Sequence, residues 1–101
     1  MSARERLPDR RPSVSFDFEH DGLRYRVTAS HFADGRPAEV FVNNHRYASQ
    51  ADLFVRDAAI LASLALQFGA PIGVLCAAVG RNSAGQPTSP IGMALDMIAR
   101  G

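Results

Sequence analysis

From Ser13 to Ser30 apolar and polar residues alternate one by one, and from Ser49 onward they recur at helical spacing. That change of period divides the chain into a strand half and a helix half. In "SVSFDFEHDGLRYRVTAS" the alternation runs on both sides of Asp21-Gly22, a pair suited to a two-residue type I′ turn, and predicts a β-hairpin. With those residues as the turn, Phe18 faces Tyr25 and Phe16 faces Val27 on a core side, while Glu19 opposes Arg24 and Asp17 opposes Arg26 on a solvent side. A second turn signal, "HFADGRP", leads to "AEVFVNN", a third strand in which Ala38, Val40 and Val42 share a face and Asn43, Asn44 and His45 close the strand. The strand half therefore reads as a three-stranded antiparallel meander.

The helix half opens at Ser49, an N-cap with Asp52 three positions on, as in a capping box. The helix runs to about Phe68, with Gly69 at C′ before Pro71. Asp52, Arg56, Ser63 and Gln67 fall in one narrow stripe, and Leu53, Phe54, Val55, Ile60, Leu61, Leu64, Leu66 and Phe68 spread over the remaining circumference. An apolar arc that wide is buried on more than one side, either as the central helix of the domain or in a homodimer interface. Asp57 lies off the stripe among apolar positions, and two readings stay open for it: a cap or ion-pair partner of an arginine, or a buried carboxylate that binds a ligand. "PIGVLCAAVG" predicts a short second helix ended by Gly80, and "SPIGMALDMIARG" a third, capped by Ser89 with Pro90 at N1 and with Ile91, Ala94, Leu95 and Ile98 as its buried face.

Composition narrows the class. A chain of 101 residues, 47% of them hydrophobic, has material for one core. The uncharged run from Ala58 to Gly80 is long enough to span a bilayer, but Gly69 and Pro71 break it, and two short buried helices joined by a tight turn explain it better. All eleven basic residues are arginine; Arg4, Arg6, Arg10 and Arg11 crowd the first twelve positions, which read as a flexible leader or as a nucleic-acid arm ahead of one domain over residues 13–101. Cys76 is the single cysteine, which excludes an intrachain disulfide and a cysteine metal cluster and points to a reducing, cytoplasmic setting. No apolar stretch stands behind the N-terminal arginines, so no secretory signal is expected, and with the 58–80 run broken no membrane span is expected either. His20, His31 and His45 are scattered over a turn, a loop and a strand end, without metal-ligand or triad spacing. No cofactor, metal or catalytic residue is expected, and catalysis by this chain alone finds no support.

One segment has the parts of an anion cradle. "GRNSAGQPTSPIG" ends at a helix N-terminus with free backbone N–H groups, has the hydroxyls of Ser83, Thr88 and Ser89, and carries Arg81 nearby. It lacks the Gly-Lys-Ser/Thr ending of a phosphate loop, and capping alone accounts for Ser89-Pro90.

Taken in order, "DGRPAEVFVN", "ASQADLFVRDAAILASLALQFGAPI" and "GRNSAGQPTSPIGMALDMIA" resemble the TSCPD domain, found at or near the C-terminus of many ribonucleotide reductases, notably adenosylcobalamin-dependent ones, and as short stand-alone proteins. The resemblance covers about Asp34 to Ala99, and its most specific pieces are the strand Gly35–Phe41 and the helix end Ser63–Gly69. It fails at the signature. Where the family carries an Arg-Cys-Pro-like segment, a glycine pair and Thr-Ser-Cys-Pro-Asp, this chain has Arg81-Asn82-Ser83, a single Gly85 and Thr88-Ser89-Pro90-Ile91. Thiol or metal chemistry of those cysteines therefore does not transfer.

The expectation is an α+β domain: a three-stranded antiparallel sheet followed by a long central helix and two shorter ones. The resemblance implies a stand-alone, non-catalytic module that binds a ribonucleotide reductase subunit or a nucleotide, and the reductase name would mark family membership rather than activity. Two rivals stand beside it: a nucleic-acid-binding or regulatory protein using the N-terminal arginines, and a homodimeric structural module joined through the Leu53–Phe68 helix without a ligand.

Overall fold

In a computed structural model, which describes residues 3–7 and 12–101, the change of period falls where strand gives way to helix. The strands are β1 (Ser13–His20), β2 (Leu23–His31) and β3 (Pro37–Asn44); the helices are α1 (Gln50–Gln67), α2 (Ile72–Ala78) and α3 (Pro90–Arg100). The sheet is antiparallel throughout, in the order β1-β2-β3.

The hairpin has the expected register, with Phe18 opposite Tyr25, Phe16 opposite Val27, Glu19 opposite Arg24 and Asp17 opposite Arg26. Its turn places both central residues at positive φ, Asp21 at 52° and Gly22 at 76°, as a type I′ turn demands. The rings of Phe18 and Tyr25 stack with centroids 5.4 Å apart. On the outer face Arg26 pairs with Asp17 at 3.0 Å, whereas Arg24 has no side-chain partner among the described residues. Asn43 and Asn44 are not turn residues: they belong to β3, opposite Arg26 and Tyr25, and the chain leaves the sheet only after them. Two more residues of pairing offset the loss of an early turn, because Asn44 is buried on the core face.

Helices cover one face of this sheet. Tyr25, Val27 and Ala29 of β2 and Val40 and Val42 of β3 meet Val55, Ala59, Ala62 and Leu66 of α1 and Ala94, Leu95 and Ile98 of α3. The end of α1 is a Schellman motif: Ala70 N donates to Ala65 O at 3.0 Å, Gly69 N donates to Leu66 O at 3.1 Å, and Gly69 takes φ 107°. The short helices expected from Ala58 to Gly80 differ in part from what forms. The first half belongs to the long α1, and α2 is only half-buried, resting Ile72, Leu75 and Cys76 on the core edge with no fully buried residue. Among the described residues no helix is long and apolar enough to cross a membrane.

The orientation of α1 departs from ordinary amphipathic packing. Its polar stripe points inward and much of its apolar arc points outward. Asp52 and Gln67 are 0% and 2% exposed, while Phe54 and Leu61 are 69% and 67% exposed. The cause is that α1 lies along the free edge of β3, whose outward backbone groups need partners. Asp52 accepts from Asn44 N at 2.8 Å, Ser63 Oγ accepts from Val40 N at 2.9 Å and lies 3.0 Å from Val40 O, and Gln67 Nε2 donates to Ala38 O at 3.0 Å. The residues at one edge-facing repeat, 38, 40 and 44, are thus satisfied by side chains of one helix.

Candidate functional site

The loop from Gly80 to Gly92 is organised by its own hydrogen bonds. Asn82 Oδ1 accepts the N–H groups of Ala84 at 3.0 Å and Gln86 at 2.9 Å, Asn82 N donates to Gln86 O, and Thr88 N donates to Gly80 O. Gly80 lies in close approach to Thr88: a Cβ there would stand 2.8 Å from Thr88 Oγ1, so a larger residue would force that side chain to move. Arg81 turns inward: its guanidinium donates to Asp96 at 2.6 and 2.9 Å and to the carbonyls of Cys76 and Gly85 at 3.0 Å each. This fork ties the loop to α2 and α3, lowering the Asp96 pKa and raising that of Arg81.

The four residues of the expected anion cradle do not converge. Ser89 Oγ accepts from Gly92 N as the N-cap of α3, Ser83 is exposed, and Arg81 is committed to Asp96. Thr88 alone of the four lines the adjoining groove of about 670 Å³, where the carboxylates of Asp21 and Asp96 also face in. Arg100 and His20 line the groove as well, but the guanidinium expected to hold the anion, Arg81, is not among its lining residues and is occupied by Asp96.

Of the two readings open for Asp57, exposure removes the buried ligand-binding carboxylate, and the buried carboxylate is Asp52, five residues earlier. The edge of β3 draws Asp52 inward and so rotates Asp57 out. Burial pushes the Asp52 pKa up, but the N–H groups of Ala48 and Asn44 and the Arg56 guanidinium push it down further, and the net shift is downward. The spacing of Asp52, Ser63 and Gln67, eleven and then four residues apart on one face, is the signal that marks this structural cluster.

The N-terminal arginines are divided. Arg4 Nε donates to Gln67 Oε1 at 2.5 Å and Glu5 pairs with Arg36 at 3.0 Å, so residues 4 and 5 lie against the end of α1 and the β2–β3 turn. Arg6 is exposed, and Arg10 and Arg11 lie outside the described residues. The histidines stay apart, His31 Nδ1 standing 3.4 Å from Pro12 O and His20 beside Asp21. No group of three metal-ligating side chains occurs among the described residues. Burial and the neighbouring Asp96 carboxylate push the Cys76 thiol up, the opposite of what a nucleophile needs.

What remains is a surface. Leu53, Phe54, Ile60, Leu61 and Phe68 are all exposed along α1, with Leu64 half-buried among them. Phe54, Asp57, Leu61, Leu64 and Phe68 follow one another at intervals of three and four, the a/d spacing of a helix that packs on another helix.

Comparison with known proteins agrees in one direction. No family model matches the chain. Over 72 residues, 71% of its length, it is 32% identical to the vitamin B12-dependent ribonucleotide reductase of Bradyrhizobium diazoefficiens, of which that stretch is 6%. The reductases of Agrobacterium fabrum and Rhodopirellula baltica are each 32% identical, over 69 and 72 residues that make up 5% and 7% of those proteins. The chain is therefore similar to a short segment of these reductases and spans a small fraction of their length. No solved structure matches.

Proposed function

We propose that this chain is a non-catalytic, TSCPD-like module of ribonucleotide-reductase-related metabolism that acts in the cytoplasm as a homodimer joined through α1. The similarity to a segment of vitamin B12-dependent reductases supports the metabolic setting. The observation that carries the mode of action is the exposed seam of α1. Phe54, Leu61 and Phe68 of the seam, with Leu53 and Ile60 beside them, are large apolar side chains left in water and mark a surface built to be covered.

A second copy fits this seam. Two α1 helices packed antiparallel about Leu61 set Phe54 of each against Phe68 of the other and Asp57 against Ala65, a small residue. Asp57 then stands about eight residues, or ~12 Å, from its copy, so the single charge of the seam does not meet itself. A polar residue at one seam position fixes register at a cost in affinity, which accounts for an aspartate there. Catalysis is assigned elsewhere because ribonucleotide reduction needs several reactive thiols, and the one thiol here has its pKa raised by burial and by Asp96.

The test is genetic and quantitative. Deoxyribonucleotide pools are measured in cells lacking the chain and in cells supplied with the wild type or with Leu61→Asp. The proposal expects pools that change on deletion, recover with the wild type and fail to recover with Leu61→Asp. Pools indifferent to deletion remove the metabolic role, and full recovery with Leu61→Asp removes the seam from it.

A further inference from the structure

A cavity of about 400 Å³ lies where the start of β2 and the end of β3 meet the start of α1, within the size range of small-ligand sites. It is separate from the loop after Gly80 and from the α1 seam. Three arginines line it, Arg24, Arg26 and Arg56, against the single carboxylate of Asp17. Two of them are held from behind: Arg26 Nε donates to Asp17 Oδ1 at 3.0 Å and Arg56 Nε donates to Asp52 Oδ2 at 2.9 Å. In both the Nη groups are left without partners among the described residues, and Arg24 has none for its whole guanidinium. Guanidiniums anchored through Nε with Nη groups presented to a cavity are pre-organised to donate pairs of hydrogen bonds to phosphate oxygens.

Two further features make the site more than a patch of positive charge. Tyr47 lines the same cavity, is 80% exposed, and has Arg56 over its ring at 5.2 Å, which leaves the other ring face open as a stacking platform. Asn44, 93% buried in the cavity wall, accepts from Arg46 N through Oδ1, yet its Nδ2 has no partner among the described residues. An amide donor buried without an acceptor is costly and calls for one.

We infer that this cavity binds a nucleoside polyphosphate, with Arg24, Arg26 and Arg56 on the phosphates and Tyr47 beneath the base. Asn44, its Nδ2 unpartnered in the wall, is the nearest buried donor to that ligand. The polyphosphate is favoured over a single phosphate because three guanidiniums outnumber what one phosphate needs, and over an apolar ligand because the lining is charged. The inference goes beyond dimerisation through α1 and does not depend on it.

Titration calorimetry of the full chain with dATP, ATP, inorganic triphosphate and a twelve-residue oligothymidylate tests the site, with NMR shift mapping on the wild type as a readout independent of substitution. Expected are micromolar binding of a nucleoside triphosphate that weakens with salt, and shifts centred on Asn43 to Tyr47 rather than on Gly80 to Thr88. Arg24→Ala is expected to weaken binding by about tenfold, the scale of one charge-assisted contact, and Tyr47→Ala to bring nucleotide affinity down to that of triphosphate alone. Leu61→Asp should leave the titration unchanged, which separates this site from the dimer. No binding of triphosphate or nucleotide at millimolar concentration, affinity indifferent to Arg24→Ala, shifts centred on the Gly80 loop, or tighter binding of the oligothymidylate than of any nucleotide would each overturn it.

Discussion

Asp52 and Asp57 show how little separates a structural carboxylate from a surface one in sequence. Both sit in the first half of α1, and the local pattern, with Asp52 in the polar stripe and Asp57 among apolar positions, leaves open which of them is buried. What decides is three-dimensional: Asp52 reaches the N–H groups of Asn44 and Ala48, and Asp57 reaches water. Because the folded-state pKa of Asp52 lies below its unfolded value, its contribution is present at pH above the ordinary carboxylate range and is lost as pH falls through the folded pKa. Asp96, lowered by Arg81, acts with the same sign. Thermal melts across acid pH should therefore show the wild type losing stability below about pH 4, and Asp52→Asn should be less stable at neutral pH with a flatter acid limb. Asp57→Ala, at an exposed position, should change monomer stability by less than about 0.5 kcal/mol. For Cys76 the raised thiol pKa predicts slow alkylation at neutral pH, with a rate that climbs only in alkaline solution.

At the scale of elements, the hairpin, the third strand, the caps and the helix ends were legible because each rests on local chemistry: Asp21-Gly22 for the turn, Ser49 and Ser89 for the caps, Gly69 for the end of α1. The facing of α1 was not. A stripe of Asp52, Ser63 and Gln67 looks the same in sequence whether it meets solvent or satisfies a strand edge, since periodicity locates a stripe without saying what lies opposite. The cavity lined by Arg24, Arg56 and Tyr47 was hidden for a similar reason, as its lining comes from all three strands, α1 and the loop between β3 and α1 and shares no motif. Ser63 bears directly on the edge arrangement, being the acceptor for Val40 N. Ser63→Ala leaves that N–H unpaired and should cost about 1–3 kcal/mol, a fall in Tm of roughly 4–8 °C per kcal/mol for a domain of this size. Hydrogen exchange at the Val40 amide should accelerate in the variant, and an unchanged rate would show that the hydroxyl does not hold the edge.

For the whole molecule, the two layers leave α1 doing two jobs: its polar stripe closes a sheet edge, and its apolar seam is offered outward. Sequence alone identified the width of the apolar arc and left open whether sheet, helices or a second chain covered it. The fold answers for the inner side, and the outer side carries the proposed dimer. Asp57 gives that dimer a tunable element, and Asp57→Leu should tighten self-association by removing the one charge at the seam. The most direct measurement is size-exclusion chromatography with light scattering on the full chain and on Leu61→Asp, each checked by circular dichroism for an intact fold. The account expects the wild type at twice the 10.9 kDa chain mass and Leu61→Asp at a single chain mass with the same secondary structure. A wild type that stays at 10.9 kDa at high concentration, or a Leu61→Asp variant that remains dimeric, would contradict it.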